Sequence, residues 1–95
     1  MKTGNQARRN YRIHWDMEDE CTIDVHGKPY VFQILINEIW IGRFVYFLDK
    51  TTFDAHGNDT ERTVAMGHEA SLGKAKKAAL TAFRRHHNAT LELAA

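Results

Sequence analysis

The chain predicts an α+β fold: an antiparallel sheet of four to five strands, followed by one C-terminal amphipathic helix packed on one face. Three observations carry that expectation. Between Tyr11 and Met66, apolar and polar residues alternate in short runs bounded by turn-forming residues, the period of strands. From Ala70 to His87 the apolar residues recur at helical spacing instead. All the strand runs precede the helical one, the order of a sheet covered by a helix.

The elements follow in order. Residues 1–10 read as a flexible basic tail, and 11–95 as a single domain, since a chain of 95 residues has material for one modest core. "YRIHW" and "CTIDV" alternate as strands, joined through the acidic "DMEDE". His26-Gly27 signals a tight turn, and Pro29 opens the next strand. "YVFQILI" and "IWIGRFVYFLD" are the strongest strand runs, with Asn37-Glu38 between them as a two-residue hairpin loop. "DAHGND" is a further turn, and "TERTVAM" the last alternating run. Ser71 stands where a helix cap belongs. The terminal "ATLELAA" alternates weakly, as an edge strand or a frayed helix end would.

With Asn37-Glu38 as the turn, Ile36 opposes Ile39, Ile34 opposes Ile41 and Phe32 opposes Arg43. Val45 and Phe47 then share the helix-covered face, while Val31, Leu35, Trp40, Phe44, Tyr46 and Leu48 lie on the other. A second apolar face needs a cover, and one helix covers only one. Leu35, Trp40, Phe44 and Tyr46 are therefore expected to form a self-association or base-stacking surface, with a homodimer as the expected state.

At about 100° per residue, the helix gathers Leu72, Ala75, Ala79, Ala82 and Phe83 on one stripe. Lys74, Lys77, Arg84 and Arg85 fall on the opposite face, with Lys76 beside them. Five basic residues and no acidic one occupy this helix, although the net charge of the chain is only +1. Arg8, Arg9 and Arg12 add positive charge near the N-terminus, and Asp16, Glu18, Asp19, Glu20 and Asp24 form an acidic cluster. Such segregation creates local fields that net charge hides, and a basic cluster suits phosphate neutralisation. Nucleic acid, or a protein that handles it, is thus the expected partner, with Lys74, Lys76, Lys77, Arg84, Arg85, Arg8 and Arg9 as the contacting residues.

Catalysis finds little material. Cys21 follows three carboxylates, which raise a thiol pKa, and reads as a small buried residue. The Asp24/His26 and Asp54/His56 pairs lie in turns. His86 and His87 are adjacent on a helix and point apart, so they cannot chelate one ion. No glycine-rich phosphate loop is present. The expectation is a non-enzymatic protein without metal or cofactor. One cysteine, with no apolar run behind "MKTGNQARRNYR", suggests a reducing, cytoplasmic setting without membrane contact.

Two resemblances bear on the same segment. "AMGHEASLGKAKKAALTAF" resembles the C-terminal motif of double-stranded RNA-binding domains, with Ala65, Gly67, Ser71, Ala75, Lys76 and Ala79 in register. That resemblance implies a helix start whose lysines hold phosphates across a groove, and it carries over to Lys76. Leu72 and Gly73 stand where the family has two lysines, and Glu69 replaces its second glycine. The strand–"ASLGKAK"–helix unit is also similar to that of small phage proteins, some anti-CRISPR inhibitors among them. This implies an alternative function, blocking a host complex by protein–protein contact. A purely structural, oligomer-forming protein is the second alternative.

Overall fold

The computed structural model describes residues 10–94; the basic tail expected at 1–10, with Arg8 and Arg9, lies outside them except for Asn10. Five antiparallel strands form one sheet in sequence order: β1 Tyr11–Met17, β2 Glu20–Val25, β3 Tyr30–Trp40, β4 Arg43–Phe53 and β5 Asp59–Glu69. A single helix, α1 Leu72–Ala94, follows and crosses one face. The expected fold class is the one observed. The terminal segment continues α1 through Ala94 and is not a strand.

The core lies between α1 and the sheet. Cys21, Ile23 and Val25 of β2, Phe32, Ile34 and Ile36 of β3, and Leu48 of β4 meet Ala75, Ala79 and Phe83 of α1. The two alanines are fully buried, and their small side chains let the helix approach the sheet closely. Phe83 fills the remaining depth, with its ring edge-to-face on Tyr11 and Phe32 at 4.9 and 5.0 Å between centroids. Ser71 caps the helix as expected: its Oγ accepts from the Lys74 backbone N–H at 3.1 Å.

The central hairpin departs from expectation. Asn37 and Glu38 lie within β3, and the loop is Ile41-Gly42, with Gly42 at φ 72°. Glycine supplies the left-handed conformation that this turn requires, and it outweighs the polarity of Asn37-Glu38. The pairing becomes Phe32↔Lys50, Ile34↔Leu48 and Ile36↔Tyr46. This register has the opposite parity to the expected one, so every β4 side chain changes face. Phe44, Tyr46 and Leu48 lie under the helix, while Val45 and Phe47 lie on the open face beside Leu35. Ile39 and Ile41, expected in the core, are exposed.

Candidate functional site

The expected self-association surface does not assemble. Leu35 is half-buried on the open face, Phe44 and Tyr46 are half-buried against the core, and Trp40 is 77% exposed at the hairpin tip. Of the open face's apolar residues, Phe53 and Met66 are exposed, Val31, Leu35 and Phe47 are half-buried, and Val45 is buried. Polar pairs flank them: Thr22 Oγ1 donates to Asp16 Oδ2 at 2.9 Å, and Thr63 Oγ1 donates to Asp49 Oδ1 at 2.6 Å.

The basic residues of α1 divide between two flanks. Lys76 turns toward β1, where its Nζ stands 4.4 Å from the centroid of the Trp15 ring, a cation–π contact. Lys74, Lys77 and Arg85 line the other flank. There, with Tyr46, Ala78, Thr81 and Ala82, they border a groove of about 450 Å³ between the helix and the β4–β5 side of the sheet. Arg84 is exposed, outside the groove. The floor owes its shape to Gly67, since a Cβ at that position would stand 2.7 Å from the Tyr46 ring. Only glycine lets the phenol lie flat over β5 without displacement.

The sheet adds two cations that helix-centred reasoning misses. Lys50 and Arg62 are direct partners in the β4–β5 ladder and share the helix-covered face. Like charges placed directly opposite are mutually unfavourable. Burial, followed by the Arg62 charge, holds the Lys50 ammonium below its ordinary pKa. The Lys50 Nζ lies 4.2 Å from the Tyr30 ring centroid, which offers partial compensation. Both charges also act on His86, whose pKa is lowered first by burial and then by Lys50 and Arg62. Among the described residues, the one ion pair within 4 Å joins His14 to Asp16, at 3.2 Å. None of Lys74, Lys77, Arg85, Lys50 or Arg62 has a carboxylate at that distance among those residues. Glu69 is the single acid on the groove wall.

Other candidate chemistry is occupied by structural tasks. Asp54 Oδ1 accepts from the backbone N–H groups of His56 and Asn58, at 2.8 and 2.9 Å. These bonds hold its carboxyl below the usual range and close the β4–β5 turn, so Asp54 orients backbone and not an imidazole. Cys21 is buried, and its thiol pKa is pushed up to about 11, by burial above all. No group of three or more His, Cys, Asp or Glu among the described residues is placed to hold a metal ion. No helix among them is long and apolar enough to cross a membrane.

Comparison with protein-family models, curated proteins and solved structures finds no match. The functional reading therefore rests on the geometry of this chain.

Proposed function

We propose that this protein is a non-enzymatic binding domain that grips the phosphate backbone of a nucleic acid along the α1/β4–β5 flank. The observation that carries the reading is the strip formed by Lys74, Lys77 and Arg85 on the helix and Lys50 and Arg62 on the sheet, none of which has a carboxylate within 4 Å among the described residues. Cations placed directly opposite one another, as Lys50 and Arg62 are, repel, and an anionic ligand relieves that repulsion. From Lys74 to Arg85 the helix advances about 16 Å, several times the roughly 3.4 Å of duplex axis that each phosphate of one strand occupies. Arg84, exposed outside the groove, adds to the positive charge of the helix. A helix start that bears lysines on phosphates is also what the resemblance to double-stranded RNA-binding domains implies, although Lys76 faces the other flank. The buried thiol of Cys21 fits a reducing, cytoplasmic setting.

The test is fluorescence anisotropy with labelled duplex RNA, duplex DNA and single-stranded DNA, titrated across salt concentrations. Wild-type affinity should fall steeply with salt. Lys74→Glu/Lys77→Glu should weaken binding at least about tenfold and make the salt slope shallower by about two. Equal affinity of wild type and variant, or no binding at low salt, would remove the assignment and leave the basic flank to a protein surface.

A further inference from the structure

The tip of the β3–β4 hairpin exposes three consecutive apolar side chains: Ile39 is 53% exposed, Trp40 77% and Ile41 92%. The tip stands clear of its neighbours. β2 begins at Glu20, opposite Leu35, and β5 ends at Glu69, opposite Phe44, so Ile39 to Arg43 project beyond both. A two-residue loop ordinarily carries polar residues and glycine. Here Ile41 stands in the loop and Trp40 at the end of β3, both exposed, at a cost that folding alone does not explain. The base of this finger is acidic. Glu18, Asp19 and Glu38 border a hollow of about 370 Å³ there. Glu38 Oε2 also accepts from the Gly42 N–H at a long 3.4 Å. Carboxylates at this position repel phosphates, which argues against a nucleic acid on the finger.

The same chain presents the complementary surface. The α1/β5 groove has an apolar floor of Ala78, Ala82 and Tyr46 under a rim of Lys74, Lys77 and Arg85. An apolar finger with an acidic base matches an apolar trough with a basic rim. Two charges depart from this pattern, Arg43 beside the tip and Glu69 on the groove wall, and they border one hollow within the same copy. We infer that the Ile39-Trp40-Ile41 finger of one copy of this chain docks in the helix groove of a second copy. Charge complementarity steers the encounter, and burial of Trp40 supplies the anchor. The contact joins two different surfaces, so each copy offers one finger and one groove. The inference does not depend on nucleic-acid binding, although both use Lys77 and Arg85.

Sedimentation of the full chain tests it through complementary variants. Wild type should sediment above monomer mass with increasing concentration, less so at high salt. Trp40→Ala and Lys77→Glu/Arg85→Glu should each be folded by circular dichroism and sediment as monomers. Mixed in equal amounts, the two variants should form a complex containing one of each, because one supplies a groove and the other a finger. A monomeric wild type at its highest soluble concentration would overturn the inference. So would assembly of either variant alone at wild-type strength, or failure of the mixture to associate. Trp40→Ala, which frees the groove, should bind nucleic acid at least as tightly as wild type in anisotropy, so loss of assembly and loss of phosphate binding are read separately.

Discussion

His87 lies in the interior at 2% exposure, its ring stacked on Phe83 at 5.4 Å and edge-on to Tyr11. Its Nε2 lies 2.8 Å from Asn10 Oδ1, an oxygen that only accepts, so Nε2 carries the proton and donates. Nδ1 is buried with no hydrogen-bond partner among the described residues, as is Nε2 of His86. Protonation of His87 would place a charge in an apolar cleft. Burial, reinforced by Lys28, accordingly lowers its pKa below the ordinary 6.5, and His86 is lowered for the same first reason. In the unfolded chain both imidazoles titrate near 6.5, so above that pH neither alters the balance. As pH falls below it, the unfolded state binds protons that the folded state resists, and stability drops by up to about 1.4 kcal/mol per pH unit for each imidazole. Urea midpoints at about pH 7.5 and about pH 5.5 check this. Wild type should lose stability on acidification and His87→Phe should lose measurably less; equal losses would show that His87 is not responsible.

At the scale of elements, the helix and sheet are coupled through a narrow contact. Ala75 and Ala79 bring α1 close to the sheet, and among the described residues Phe83 is the one large apolar α1 side chain that is fully buried. Truncating it removes packing from Tyr11, Phe32 and His87 together. Phe83→Ala should cost about 3–5 kcal/mol, a large share of the roughly 5–15 kcal/mol that stabilises a domain. The check is urea unfolding followed by circular dichroism. A loss below about 1 kcal/mol would mean that the helix is held elsewhere. The central hairpin shows how much a turn decides. The strand pattern in residues 30–53 reads the same with either turn, because apolar residues occupy both parities. Gly42 settles the loop, and the loop settles which of Phe44 and Val45 faces the helix.

At the scale of the molecule, charge is distributed by end and flank. Glu18, Asp19 and Glu38 collect around the finger base, while Lys50, Arg62, Lys74, Lys77 and Arg85 collect beside the helix. A net charge of +1 conceals this separation. If the groove takes both a finger and a phosphate backbone, the two ligands exclude one another. Saturating short duplex RNA should return the wild-type assembly to complexes of one chain with RNA. Sedimentation with labelled RNA reads that outcome directly, and protein assemblies that persist intact on bound RNA would separate the two surfaces.

The amino-acid sequence by itself determined the α+β order, the five strand regions, the Ser71 cap and the apolar stripe of α1. Those features depend on local periodicity and on hydrogen bonds between near neighbours, which a linear pattern records. It also marked Lys74, Lys77 and Arg85 as one exposed helix face. Only the tertiary structure decided which wall that face meets. Lys50 and Arg62 join it through ladder pairing, while Lys76, beside that face in the sequence pattern, turns to Trp15 of β1. Nor does the one-dimensional pattern distinguish Trp40 as a tip residue from Trp40 as a strand residue, since exposure there depends on where the neighbouring strands stop. Register and strand ends are set by contacts between distant residues, and those contacts place both the basic groove and the apolar finger.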